Sequence, residues 1–155
     1  MKRMVIAIAL IMIATPAMAV SDLDVMVYGH NINTAICGAQ ELKGDPVIDA
    51  ENGAATFNLT DKLTDIFFIK NDEVSGFGCV CRDSSQEIEF LAQCVTACYN
   101  FAGNQAGETC YDAILSQFMF ARAGNPLGES AQVPGILFQI KKESYGYVFM
   151  LVKVK

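Results

Sequence analysis

The sequence predicts a single α+β domain, in which two helices pack on a mostly antiparallel sheet and disulfide bonds stabilise the fold. Short segments before residue 82 and after residue 135 are rich in apolar and β-branched residues, as strands are. Between residues 84 and 123 the apolar residues instead recur at the three- and four-residue spacing of a helix. Six cysteines in a chain that begins with an export signal favour disulfide bonds, because extracytoplasmic compartments are oxidising.

The first 19 residues have the features of a cleaved signal peptide. A basic start, Met1-Lys2-Arg3, precedes an apolar run over residues 4–14, and Ala17 and Ala19 supply an A-x-A cleavage pattern. The apolar run is shorter than the roughly 20 residues that a membrane-spanning helix needs. We therefore expect a mature domain of residues 20–155 in the periplasm or secreted, with an uncleaved N-terminal anchor as the alternative.

The charge of the mature chain argues against two classes of partner. Without Lys2 and Arg3 the chain keeps nine basic residues against seventeen acidic ones, a net charge of −8. Nucleic acids and anionic lipids are bound by clustered Lys and Arg, so neither is an expected partner. No later segment is long and apolar enough to span a membrane. The expected partner is another protein.

A β-hairpin is predicted around Asn52-Gly53, since both residue types tolerate the positive φ angles of a type I′ turn. Pairing outward from this turn sets Ile48 opposite Phe57. A strand is predicted over residues 145–154, and because it is apolar on both faces from Tyr147 to Val152, it is expected inside the sheet. The remaining predicted strands are residues 23–28, 64–70, 74–81 and 136–142.

Two helices are predicted between the groups of strands. Ser84 and Glu87 fit a capping box at the start of the first helix, and Gly103 fits its end. The second helix is predicted from Thr109 to about Gly124, followed by a loop over residues 124–135. The apolar stripe of the first helix comprises Ile88, Leu91, Ala92, Val95, Tyr99 and Ala102, and that of the second comprises Tyr111, Ile114, Leu115 and Phe118. Three aromatic residues lie off these stripes, and either mark a partner-binding surface or pack against loops: Phe90, Phe101 and Phe120.

The sequence contains no motif of a known reaction. The only histidine, His30, is predicted to be a surface loop residue, so neither a histidine-rich metal site nor a nucleophile–histidine pair is expected. The segment "GFGCVC" departs from the dinucleotide-binding fingerprint, because Cys81 occupies the third glycine position. We therefore predict no catalytic, cofactor-binding or metal-ligating residues.

The six cysteines carry the most specific prediction. Cys79 and Cys81 lie on one face of a strand, and Cys94 and Cys98 on one flank of the following helix. Folding the helix back over the strand brings Cys94 level with Cys79, from the rise per residue of each element. An antiparallel second helix brings Cys110 near Cys98. The predicted disulfides are therefore Cys79–Cys94, Cys98–Cys110 and, from the remaining two residues, Cys37–Cys81.

Two other uses of the clustered cysteines stay open. Cys79, Cys81, Cys94 and Cys98 are enough thiolates for a tetrahedral zinc ion, although their C-x-C and C-x3-C spacings are unusual for zinc. The same four residues are candidates for the redox centre of a thiol–disulfide oxidoreductase. The leading hypothesis is an exported, non-catalytic binding module of the inhibitor, adhesin or envelope-assembly type, and the oxidoreductase is the alternative.

Overall fold

A computed structural model describes residues 21–125 and 131–154, and the predicted signal peptide lies outside these residues. The described chain is an α+β domain, as predicted. Its sheet has seven strands, and it has three long helices instead of the two predicted. In chain order the elements are α1 (Asp22–Cys37), β1 (Val47–Asp49), β2 (Ala54–Asn58), β3 (Leu63–Lys70), β4 (Glu73–Cys81), α2 (Glu87–Ala102), α3 (Gly107–Arg122), β5 (Ala131–Val133), β6 (Ile136–Glu143) and β7 (Gly146–Lys153).

The sheet is antiparallel throughout, with the strand order β1-β2-β3-β4-β7-β6-β5. The strands predicted for β3, β4, β6 and β7 are confirmed. Strand β7 lies between β4 and β6, which confirms the interior position predicted from its two apolar faces. The pairing of β4 with β7 joins the two halves of the chain, and it sets Cys79 opposite Phe149.

The hairpin predicted around Asn52-Gly53 is present, but its predicted register is wrong. Ile48 pairs with Ala55 instead of Phe57, and residues 50–53 form the loop. The Asp49 carboxylate accepts hydrogen bonds from the backbone and the side chain of Asn52, at 3.1 and 2.7 Å. These bonds stabilise a longer turn in which Gly53 has a positive φ of 60° and Asn52 does not.

The N-terminal segment predicted as a strand is helix α1. The Ser21 hydroxyl accepts a hydrogen bond from the Asp24 backbone, and the Asp24 carboxylate accepts one from the Ser21 backbone, which completes a capping box. The buried positions of α1 are Met26, His30 and Thr34, spaced by four residues. Because two of these three residues are polar, the buried face of the helix shows no clear apolar stripe, and its valines suggested a strand instead.

Helix α2 packs on the sheet through a different face from the one predicted. The buried residues of its sheet-facing side are Phe90, Gln93, Cys94, Ala97 and Cys98. Phe90 was placed off the predicted apolar stripe, yet it has no exposed surface and packs against Phe118 and Tyr147. Ile88, the first residue of the predicted stripe, is 80% exposed. The predicted stripe therefore faces away from the sheet.

The helix ends differ from the predictions in detail. Ser84 does not cap α2: Asp83 caps the short 3-10 turn Ser84–Gln86 that precedes the helix, since its carboxylate accepts the Ser85 N–H. Helix α2 itself follows Gln86, which makes no side-chain capping hydrogen bond. Helix α2 ends at Gly103 as predicted. In the segment predicted as a loop, residues 131–133 form the short edge strand β5, which pairs with β6.

A pair of alanine substitutions checks the face that α2 buries. We expect Phe90→Ala to lower the free energy of unfolding by about 3–5 kcal/mol, because it leaves a cavity between the helices and the sheet. Ile88→Ala, two residues away, removes a largely exposed side chain and should change that free energy by less than about 0.5 kcal/mol. Urea unfolding of both variants measures the difference, and equal losses would contradict the observed orientation.

Candidate functional site

Two of the three predicted cysteine pairs are neighbours in the fold. The Cys79 side chain is hydrogen-bonded with that of Cys94, between β4 and α2. The Cys98 side chain is hydrogen-bonded with that of Cys110, between α2 and α3. All six cysteines are free thiols in this structure, so disulfide stabilisation is not shown and the pairing stays a prediction.

The structure does not bring together the third predicted pair. Cys37, at the end of α1, interacts with Thr96 and lies near Cys98, in the second half of α2. The Cys81 thiol donates to the Asp83 carbonyl oxygen at 3.0 Å and lies near Glu87, at the start of α2. The two cysteines are thus associated with different turns of the same helix.

The environment of the thiols disfavours nucleophilic chemistry. Burial raises the pKa of Cys94, and it raises the pKa values of Cys79 and Cys98 well above the ordinary thiol value. The pKa of Cys110 is lowered, because its thiolate accepts a hydrogen bond from Cys98, but Cys110 has no exposed surface. A redox-active thiol needs a stabilised thiolate that is accessible to its substrate. Only Cys37 is partly exposed, and burial raises its pKa as well.

Within the described ranges, no group of three or more His, Cys, Asp or Glu side chains is arranged to hold a metal ion. The four cysteines considered as zinc ligands therefore do not form a tetrahedral site in this fold.

A buried polar cluster lies between α1, α2 and the sheet. His30 was predicted at the surface, but its side chain has no exposed surface. The Gln93 amide donates to the Gln40 carbonyl oxygen at 2.8 Å, so its own oxygen faces His30 and accepts from His30 Nε2, also at 2.8 Å. The carboxylate of Asp65, on β3, lies 3.8 Å from the same nitrogen and is equally buried.

The histidine and the carboxyl group have pKa values shifted in opposite directions. Burial lowers the pKa of His30 to about 4, although the hydrogen bond to Gln93 offsets part of the effect. Burial raises the pKa of Asp65 to about 7, and the neighbouring Cys79 thiol opposes this only in part. Among the described residues, neither carboxyl oxygen of Asp65 has a partner with good hydrogen-bond geometry. Both groups are therefore held in their neutral forms at mildly acidic pH.

The polar cluster is inaccessible to a substrate. His30 lies between aromatic rings, stacked on Phe77 at 5.5 Å and edge-on to Phe67 at 6.1 Å between ring centroids. A nucleophile–histidine arrangement must reach a reacting group, and here every member is enclosed. We interpret the cluster as part of the core.

Neither Asp65 nor Gln93 was predicted to belong to a buried polar cluster, although a lone carboxylate inside an apolar strand is a signal that the sequence contains.

An apolar groove of about 700 Å³ lies on the side of the helices that faces away from the sheet. Its floor is the stripe of α2 that faces outward, comprising Ile88, Leu91, Ala92, Val95 and Tyr99. The end of α1 forms one wall through Ile36 and Cys37, and the first half of α3 forms the other through Tyr111, Asp112, Ile114 and Leu115. We call this feature the helix groove.

Exposed apolar residues continue from the helix groove along both flanking helices. On α1, the exposed residues Val25, Tyr28, Ile32 and Ile36 recur at three- or four-residue spacing. On α3, the exposed residues Tyr111, Leu115 and Met119 are spaced by four. Each flanking helix thus has an apolar stripe that the described chain leaves uncovered. An extended apolar surface of this kind is typical of a binding site.

The three long helices are strongly acidic. They contain a single basic residue, Arg122, and no lysine. Their six acidic residues are Asp22, Asp24, Glu87, Glu89, Glu108 and Asp112. Every lysine of the described chain lies on a strand or a loop, whereas acidic residues occur both in the helices and in the rest of the domain.

Neither a protein-family model, nor a curated protein, nor a solved structure matches this chain. In the part of the chain that the structure describes, no helix combines the length and the apolar character needed to cross a membrane.

The cysteine pairing can be checked by peptide mapping of the exported protein without reduction. We expect Cys79–Cys94 and Cys98–Cys110 bridges, because each pair is already in side-chain contact, and thiols that react with alkylating reagent at Cys37 and Cys81. Reduction should then destabilise the domain by about 3 kcal/mol per bridge, since each bridge closes a short loop in the unfolded chain. A Cys37–Cys81 bridge would show that the chain rearranges on oxidation.

The opposite pKa shifts of His30 and Asp65 predict how stability depends on pH. Asp65 alone stabilises the fold at low pH, and this contribution is lost as pH rises from its ordinary pKa of 3.8 to about 7. His30 alone stabilises it at neutral pH, and this contribution is lost as pH falls from 6.5 to about 4. Between about pH 4 and 6.5 the pair holds one proton in both states, on Asp65 when folded and on His30 when unfolded. The pair therefore adds no pH dependence to the free energy of unfolding in this range.

Substituting one residue of the pair should reveal the pH dependence that the other contributes to the free energy of unfolding. Relative to wild type, Asp65→Asn should lose about 2 kcal/mol of unfolding free energy when pH falls from 6.5 to 5, because only His30 remains to be protonated on unfolding. His30→Gln should lose a similar amount when pH rises over the same interval. Urea unfolding at both pH values measures the changes, and variants that parallel wild type would contradict the assignment of the buried proton.

Proposed function

We propose that the protein is an exported, non-catalytic binding module, and that the helix groove is its binding surface. The observation that carries the proposal is that the apolar stripe of α2 faces away from the sheet. Val95 in this stripe is buried, but Ile88 is 80% exposed, and Ile36 and Tyr111 in the groove walls are each more than half exposed. Apolar side chains as exposed as these are costly to leave in water. A partner that covers these residues would recover that free energy.

Several features support a binding role over catalysis. The two groups whose pKa values shift strongly toward the neutral form, His30 and Asp65, are enclosed in the core, where no substrate reaches them. Asp112 is the only acidic or basic residue that lines the helix groove among the residues described. General acid–base or nucleophilic catalysis needs a second positioned group near the first.

The alternative, a thiol–disulfide oxidoreductase that uses Cys79 with Cys81 and Cys94 with Cys98, has less support. All four thiols are buried, and burial raises the pKa of each. Buried, protonated thiols suit structural disulfides, which form during export and then stay closed. We propose this structural role for the pairs Cys79–Cys94 and Cys98–Cys110.

Site-specific photo-crosslinking in the producing cells tests the proposal. A photoreactive amino acid at position 88 or 115 lies in the helix groove, and one at position 47 lies on the exposed edge strand β1 as a matched control. We expect the same protein adduct from positions 88 and 115 and none from position 47. Equal adducts at all three positions, or no adduct at any, would contradict a binding surface in the groove.

A further inference from the structure

The contacts offered by the helix groove restrict the kind of partner it accepts. Its floor and walls are side chains of helices whose backbone hydrogen bonds are internal. The edge strands, β1 and β5, belong to the sheet and do not line the groove. An extended peptide would therefore bring backbone N–H and C=O groups into an apolar surface without partners, which is costly. A helix satisfies its own backbone and avoids this cost.

The charge of the helices determines which sign of charge a partner needs. Asp112 lies in the groove wall, the three helices together carry six acidic residues and one arginine, and the described lining contains neither Lys nor Arg. A second copy of the chain would bring two acidic helical faces together, which like-charge repulsion opposes. An anionic membrane is repelled for the same reason. A partner with positive charge beside its apolar stripe is attracted.

From these two arguments we propose that the helix groove binds a basic amphipathic helix of another protein. The floor from Ile88 to Tyr99 covers twelve residues of α2, about 16 Å from the first to the last, which matches about three turns of a partner helix. Apolar side chains on one face of that helix enter the groove, and Lys or Arg residues beside them approach Asp112 in the groove wall. This inference rests on the proposed binding function and specifies the partner.

Synthetic peptides provide the test. The first is an 18-residue helix-forming peptide with leucines at helical spacing and lysines on its other positions. In the second, glutamates replace the lysines, and in the third the leucines are rearranged so that no stripe forms. Fluorescence anisotropy measures the binding of each labelled peptide to the purified exported protein. We expect the basic amphipathic peptide to bind at least ten-fold more tightly than either of the others, and more weakly at higher salt.

A pair of variants with the same change of charge separates groove binding from general attraction to an acidic protein. Ile88→Lys places a cation on the groove floor, and Val47→Lys places one on the edge strand; both side chains are largely exposed, so both variants should fold. We expect Ile88→Lys to weaken binding of the basic peptide at least ten-fold and Val47→Lys less than two-fold. Equal weakening by the two variants would overturn the inference.

The remaining outcomes also decide the question. Tighter binding of the acidic peptide, or dimerisation of the protein that Ile88→Lys abolishes, would show a different occupant and overturn the basic-helix inference. If photo-crosslinking finds a groove-dependent protein partner while the basic peptide does not bind, the binding function stands and only the partner class is wrong. If neither experiment depends on the groove, both proposals fail.

Discussion

Close packing of α2 on the sheet through small side chains positions the rest of the helical layer. Cys94, Ala97 and Cys98 have no exposed surface and form the middle of the sheet-facing side. Because these side chains are small, the helix can approach the strands closely, while the larger Phe90 fills the space toward Tyr147. Helices α1 and α3 then pack beside α2 instead of over it, and the outer stripe of α2 becomes the floor of the helix groove.

The same arrangement explains why a polar cluster lies in the core. Gln93 belongs to the sheet-facing side of α2, and its amide bridges the Gln40 carbonyl oxygen and the ring of His30. Asn100 donates to the Met26 carbonyl oxygen at 2.8 Å, which gives a second link between α1 and α2. These directional bonds fix the position of a helix whose buried face has few apolar residues. Buried hydrogen-bonded groups of this kind favour one arrangement over others of similar hydrophobic content.

The sequence predicted the strands better than the helices, for physical reasons. Strands β3, β4, β6 and β7 carry apolar runs bounded by turn residues, and nothing else competes for such segments. Helix α2 is apolar on two sides, so periodicity alone could not decide whether Ile88 or Phe90 faces the sheet. The helical nature of α1 was hidden by His30 and Thr34 at buried positions. The neighbouring cysteine pairs could be predicted, because they depend only on the rise per residue of each element, whereas the helix groove depends on the orientation of α2.

The confinement of lysine to strands and loops has a practical consequence for handling the protein. Because the three helices contain no lysine, reagents that couple to lysine amines attach to strands and loops, at positions such as Lys62, Lys70 and Lys141. Coupling through lysine on an amine-reactive surface would therefore attach the domain at strands and loops, and would leave the side chains of α1, α2 and α3 unmodified.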